Sequence, residues 1–320
     1  MALLRPNALV SIAGRSLSMA EGAILSLRVS LGLQHAHDGI SLLCGPGSKF
    51  ASAAPGAALN IKLGATGSEQ AVLAGEVLAV RQQAAGLVID GVSATIALSR
   101  LFKSASHVNP TVADVVRGLI GSAAVDRIDA PLQLGVWHAE NRLSVWQQLQ
   151  ALARLAGADL GSAADGGLRF VSPQPQGAPQ RLRYGAQLLH WDLAQAAPPP
   201  SAAVAAAQPH GAGSAAGTAR WHWLSHDPVG AGAGPARVPG ALADRDAAQA
   251  VGQALSGRAQ RQGRSGQVLI VGDATLRPGA VVQLADLPGT DPGPLRVLAV
   301  QHRLDRVSGF LTRLTVEGTQ

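Results

Sequence analysis

The segment GEVLAVRQQAAGLVIDG at 75–91 and the segment LRVLAVQHRLDRVSGFLTRLTVEG at 295–318 share the string Val-Leu-Ala-Val. Each then runs through a polar turn and a glycine into an apolar strand. Each is also preceded by an alternating strand and a glycine-bearing loop, LNIKLGATG before the first and AVVQLADLPGTDPG before the second. Four shared residues can arise by chance in an Ala/Val-rich chain, but the shared order of strands and loops argues for a duplication. A duplication constrains the fold strongly. The N- and C-terminal thirds become two copies of one β-barrel unit, with the remainder inserted between them.

Hydrophobic periodicity fits that division. Leu25, Leu27, Val29 and Leu31 alternate with Ser26, Arg28 and Ser30, the period of a half-buried strand, and Leu59, Ile61 and Leu63 alternate in the same way. Val77–Val80 and Leu87–Ile89 add further short strands, and turn signals between them suggest a barrel or sandwich. The period then changes. Thr111 with Asp114 has capping-box spacing, and Val112, Val115, Val116, Leu119 and Ile120 share one helical face. A second helix is predicted from about Asn141 to Ala156, ended by Gly157 in the left-handed conformation, followed by a strand in GGLRFVSP. From Ala194 to about Gly240 the chain is Ala/Gly/Pro low complexity, read as a loop, interrupted by Arg220-Trp-His-Trp-Leu224. A helix from about 244 to 261 and strands at 267–271, 280–284, 295–304 and 309–317 complete the pattern.

The chain's 320 residues leave room for two or three domains. Aromatics are only 3% of it, so its cores must be filled mainly by Leu, Val and Ala. Net charge is +6, yet the densest basic run is Arg258, Arg261 and Arg264, short for a nucleic-acid footprint. No specific nucleic acid is expected as a partner, and an adaptor binding nucleic acid through that run is the third-ranked reading. Cys44 stands alone, which rules out a disulfide within the chain and fits a reducing compartment. No stretch reaches the roughly 18 apolar residues of a membrane span, and the N-terminus lacks the pattern of a signal peptide. A protein made in the cytoplasm, without a membrane partner, is the expectation.

Chemical constellations are sparse. His302 and Asp305 stand three apart in an alternating stretch, but no nucleophile lies near, and Asp305 to Gly309 are ordinary hairpin residues. His35 and His37 could point the same way on a strand, yet no further ligand stands at metal-site spacing. His190 with Asp192, and His226 with Asp227, are isolated pairs. GPGSK at 45–49 lacks phosphate-loop spacing, and GAGSAAG at 211–217 is low complexity. The expectation is therefore no catalytic, cofactor-binding or metal-binding set, and a non-enzymatic protein. A cell-wall hydrolase, starting from His35 and His37, is the alternative.

Three C-terminal stretches, Leu276–Leu284, Leu295–His302 and Gly309–Thr312, resemble the end of the phage late control gene D family. Its members are hubs of contractile tails, similar to the N-terminal part of VgrG spike proteins. Thr111-Val-Ala-Asp-Val-Val116, Ser144-Val-Trp-Gln-Gln-Leu149, Leu155–Leu160, Arg183-Tyr-Gly185 and Leu73–Val77 extend the resemblance over most of the chain, the segment after Ala194 excepted. The resemblance implies an α+β, mainly β fold: two tube-like β-barrel domains flanking a small α+β domain. The boundaries expected are 1–102, 103–193 and 241–320, with the 194–240 loop between the last two. It also implies a homotrimer presenting six similar barrels, which adapts a sixfold inner tube to a threefold spike within a baseplate. The chain stops at Gln320, directly after the second barrel, so the spike or needle is expected to be a separate protein. Gly75 and Gly279 at turns, Trp146 in the middle unit and the 295–317 hairpin facing the tube are the architectural positions expected. The system served is left open between a phage tail, an R-type bacteriocin and an extracellular injection system.

Overall fold

The computed structural model describes residues 5–33, 37–173, 176–198, 202–204, 234–237, 241–242, 245–289 and 291–319. The chain is mainly β, with few helices. Its N-terminal strands are β1 (Pro6–Ile12), β2 (Arg15–Ser18), β3 (Ile24–Gly32), β4 (Gly39–Cys44), β5 (Ala58–Ala65), β6 (Gln70–Gln83) and β7 (Gly86–Ser93). A short helix α1 (Ala97–Arg100) leads into β8 (Ala105–Val108), α2 (Val112–Ile120), β9 (Val125–Asp129) and β10 (Val136–Ala139). Then come α3 (Val145–Ala156), β11 (Asp159–Ser162), β12 (Leu168–Val171), β13 (Gln176–Arg183) and β14 (Leu188–Gln195). Short strands β15 (Ala202–Val204) and β16 (Gly234–Arg237) precede α4 (Arg245–Gln262), β17 (Arg264–Val271), β18 (Ala280–Ala285), β19 (Pro294–Asp305) and β20 (Gly309–Gly318).

The strands of both ends join in one sheet of thirteen strands, antiparallel apart from the β13–β18 pair. Its two halves repeat one strand order, although β1 runs antiparallel to β5 while β13 runs parallel to β18. Neighbours run β1-β5-β6-β7-β4-β3 in the first half and β13-β18-β19-β20-β17-β14 in the second, and corresponding strands also follow one another in the same order along the chain. The shared Val-Leu-Ala-Val carries a β-bulge at the same residue in each half. Leu78 is the extra residue between Val77 and Ala79 against β7, and Leu298 is its counterpart between Val297 and Ala299 against β20. A second pair of bulges also coincides, at Leu25 in β3 and Leu189 in β14. The halves are sewn together where β19 pairs with β3, Arg303 lying opposite Arg28 and His302 opposite Val29.

Alternation decides what this sheet buries. Leu27, Val29 and Leu31 of β3, Leu42 of β4, Val300 and Leu304 of β19, and Leu314 and Val316 of β20 share one apolar cluster with residues from both halves. Arg28, Ser30, Arg303 and Arg313 lie exposed between them. At roughly 1.5–3 kcal/mol for each large side chain buried, one continuous core couples the two halves energetically as well as through hydrogen bonds. Strands β13 and β14, which fall in the 103–193 unit expected from the sequence, pair instead with β18 and β17 of the large sheet.

A second core lies in the middle of the chain. The buried face of α2, the face of α3 bearing Trp146, Leu149 and Leu152, and Leu160 and Phe170 of the small β11-β12-β9 sheet pack together there. Helix α4, expected beside the second β unit, packs on β17 and β20 of that unit and also adds Ala247, Ala248 and Val251 to this core. Both capping boxes are complete: the Thr111 hydroxyl accepts from Asp114 N–H, and the Ser144 hydroxyl accepts from Gln147 N–H. The Ser144 cap starts α3 four residues later than periodicity suggests, because a cap decides a helix start more sharply than apolar spacing does. Gly157 closes α3 in the left-handed conformation, with φ of 63°.

Gly279, with φ of 92°, occupies a turn as expected, but Gly75 does not. It sits within β6, between Leu59 of β5 and Ser93 of β7, where a Cβ would come 1.9 Å from the Val92 carbonyl oxygen. Backbone cannot yield as a side chain does. Gly75→Ala is expected to lower unfolding free energy by at least about 2 kcal/mol in a urea titration. A loss below 0.5 kcal/mol would mean that the sheet accommodates a methyl group there.

Candidate functional site: a buried polar junction

The residues singled out by sequence do not converge. His302 is buried, its Nδ1 2.9 Å from the Thr312 hydroxyl and its ring beside Phe310. Thr312 also accepts from the Asp273 N–H at 3.0 Å. Burial, reinforced by Arg277 and opposed by Asp273, pushes the imidazole down to about 4, so it is neutral at pH 7. Asp305 takes no part in this. Its carboxylate accepts from the backbone N–H groups of Val307 and Ser308, from the Ser308 hydroxyl and from Arg303 Nε, all within 2.7–2.9 Å. Those donors, Ser308 first, hold it far below the usual carboxylate range and fix the hairpin turn.

His37 is held differently. Its Nδ1 lies 2.9 Å from Thr95 Oγ1, its Nε2 lies 2.6 Å from Ser99 Oγ, and its ring stacks on Trp146 at 4.2 Å. Burial, then Arg100, pushes it down to about 4. With both nitrogens taken by hydroxyls, it locks the turn after β7 onto α3. His35, the Trp221 and Trp223 island, and His226 with Asp227 lie outside the described residues. His190 and Asp192 share the exposed face of β14. Arg261 and Arg264 of the basic run turn inward, to the Glu317 carboxylate and the Pro292 carbonyl. Among the described residues no group of three or more His, Cys, Asp or Glu could hold a metal ion, and no helix is long and apolar enough to cross a membrane.

The structure gathers instead a set of charges that no motif announces. Arg296 of β19, 5% exposed, bonds Asp159 of β11 and, at 2.8 Å, Glu317 of β20. Arg261 of α4 joins Glu317 at 3.2 Å, so two cations meet two carboxylates. Desolvation works against the Arg296 charge, but Asp159 and Glu317 outweigh it and hold its proton more tightly than usual. Beside this cluster, Asp38 accepts from Gly32 N–H at 2.8 Å and from the Ser162 hydroxyl. Arg277 donates to the carbonyls of Val72, at 2.9 Å, and Ser162. Burial raises Asp38 despite these donors and the nearby Arg277. Residues of both sheet halves and of the middle unit thus meet in one polar seam. It clamps β11 and α4 over a sheet face that is solvated elsewhere. The one sequence signal for it is Arg296 and Glu317 set among apolar neighbours, in strands whose alternation assigns that face to water.

A cleft of about 330 Å³ lies between the Leu63–Gln70 loop and Val271–Thr275. Its one lining carboxylate, Asp273, is already held by the Thr275 hydroxyl and N–H and by the Gln180 amide. Geometry here supports scaffolding: buried charges that fix elements, and two buried or half-buried histidines, His37 and His302, kept neutral beside hydroxyl groups.

No family model matches the sequence, and no curated protein matches it. Solved structures do share its fold. The chain is similar to a tail protein from Neisseria meningitidis MC58, with a TM-score of 0.72 and 16% identity over 98% of this chain and 96% of that one. The 43 kDa tail protein of prophage MuSo2 from Shewanella oneidensis gives 0.68 at 15% identity over 98% of both chains. An E. coli component of the type VI secretion system, described as structurally similar to T4 bacteriophage tail proteins, gives 0.62 at 10% identity over 96% of this chain and 76% of that one. The class this defines is a fold found in phage tail proteins and in a type VI secretion component.

Proposed function

We propose that the chain is a structural, non-enzymatic hub in the baseplate of a contractile phage tail or a tail-like injection system. In this reading three copies associate, each contributing two tube-like β units, so that six similar units meet a sixfold inner tube while the trimer meets a threefold spike. The first unit is β1–β7 and the second is β13, β14 and β17–β20, with the middle unit inserted between them. Its partners are itself, an inner-tube protein, a separate spike or needle protein and other baseplate components. It is made in the bacterial cytoplasm and assembled into the particle.

The observation that carries the proposal is the repeated strand order with its two coincident pairs of bulges, since two like units per chain are what a threefold-to-sixfold adaptor requires. The fold shared with phage tail proteins supports it further. Light scattering on the purified chain, alone and with a candidate spike protein, tests it. A particle of three times 32.5 kDa is expected, and a strict monomer under both conditions would overturn the trimer.

A further inference from the structure

The repeat is used asymmetrically within one chain. Beyond its bulge at Leu298, β19 offers the edge Ala299–Asp305, and β3 occupies it. The equivalent edge of the first half is Ala79–Gln83 of β6, beyond the bulge at Leu78. Among the described residues those five pair only with β7, because β5 pairs β6 no further than Glu76. The strand equivalent to β3 is β14, which ends the sheet with one edge unpaired among the described residues. Among the described residues the chain therefore carries one filled socket, one open socket and one spare strand of the kind that fills it.

We infer that β14 of one copy pairs antiparallel with Ala79–Gln83 of β6 in the next copy, repeating between chains the β3–β19 junction made within a chain. Register follows from the repeat. Leu27 reaches Leu42 and then Ile89 across β3, β4 and β7, as Trp191 reaches Val268 and then Leu314 across β14, β17 and β20. Trp191 thus corresponds to Leu27 and Asp192 to Arg28. Ile89 lies opposite Val80, and Leu314 lies opposite Val300, so Gln83 corresponds to Arg303. The Arg28–Arg303 pair then becomes Asp192 opposite Gln83, with Leu193 opposite Gln82, Ala194 opposite Arg81 and Gln195 opposite Val80.

Side chains on the two edges suit one another. Val80, Trp191 and Leu193 all pack against the apolar core yet stay partly uncovered, which an added strand would correct. Asp192 would lie diagonal to Arg81 on the exposed face, an opposite-charge arrangement that favours this register. A strand edge this long, left open, is also a liability that folded proteins usually cover. The contact is heterologous, socket to strand, so it propagates head to tail and closes only as a ring.

The inference rests on the trimer reading, and one experiment separates the two. Opposed residues of antiparallel strands have Cα atoms about 4.5–5.5 Å apart, within disulfide reach. A chain carrying Asp192→Cys is mixed with one carrying Gln83→Cys, oxidised and run on a non-reducing gel, and the double variant is treated alike. A covalent dimer is expected from the mixture and a covalent trimer from the double variant. Asp192→Cys mixed with Gln82→Cys should give neither, because a one-residue slip turns the side chain to the other face. Trimeric mass without cross-linking at 83–192 would overturn this junction and leave the trimer standing. Equal cross-linking at 82 and 83 would overturn the register, and a monomer would overturn both proposals.

Discussion

Replacing Arg296 with methionine is expected to cost about 3–5 kcal/mol of unfolding free energy, the usual loss when a buried ion pair is broken by removing one partner. The expectation follows from what the change leaves behind. Asp159 and Glu317 are 6% and 4% exposed, and both bond Arg296. Without it, Glu317 keeps Arg261 at 3.2 Å, but Asp159 is left as a buried carboxylate without its cation. Methionine fills much of the arginine's volume, so the loss would be electrostatic and not a cavity effect. Adding Asp159→Leu and Glu317→Leu should recover most of the loss, since a buried ion cluster replaced whole by apolar residues is often neutral or better. Urea unfolding of the single and triple variants reads both. A single variant within 1 kcal/mol of the parent would show that water already reaches the cluster. Because the cluster clamps β11 and α4 onto β19 and β20, its loss should first free the middle unit from the sheet.

Sequence showed the β elements well because their alternation is set by one solvated and one buried face. Ile24–Gly32, Ala58–Ala65 and Gly309–Gly318 each reproduce the pattern of apolar residues that announces them. The helices were legible for a similar reason, with Thr111 and Gly157 marking one start and one end. Pairing partners were not. Nothing local in QGAPQRLR or LLHWDLAQ says that these strands cross to the C-terminal half, since that choice is made by β17 and β18, far along the chain. Gly75 misled because a glycine in a turn and a glycine admitting a close backbone approach look the same in sequence. The polar seam stayed hidden because Arg296 and Glu317 sit where alternation predicts solvent. Only the middle unit, folded against that face, makes them buried. His302 was legible as a strand residue beside a hairpin, and its hydrogen bond to Thr312 gives that reading a physical basis.

Acid is expected to loosen the protein at the seam between its halves, through His302. Its imidazole titrates near 4 in the folded chain against 6.5 when unfolded. Between those values the unfolded chain binds more protons, so stability is complete above about pH 6.5 and falls as pH drops towards 4. For a side chain this buried the loss amounts to about 3 kcal/mol. His37, also lowered to about 4, acts in the same direction, more weakly because it is partly exposed. Asp38, raised by burial, acts in the opposite direction. Urea unfolding at pH 7, 6, 5 and 4.5 should therefore show a falling free energy, and His302→Gln should flatten the fall even if the variant starts less stable. Equal slopes in parent and variant would remove His302 as the cause. Hydrogen exchange locates the effect. His302 lies opposite Val29 and Thr312, so amides of 26–32 and 299–305 should lose protection before those of β5 and β6 as pH falls. If the open edge of β6 is filled by a second copy, that junction holds Gln82 where this one holds His302. Acid should then open the seam within each chain and spare the one between chains.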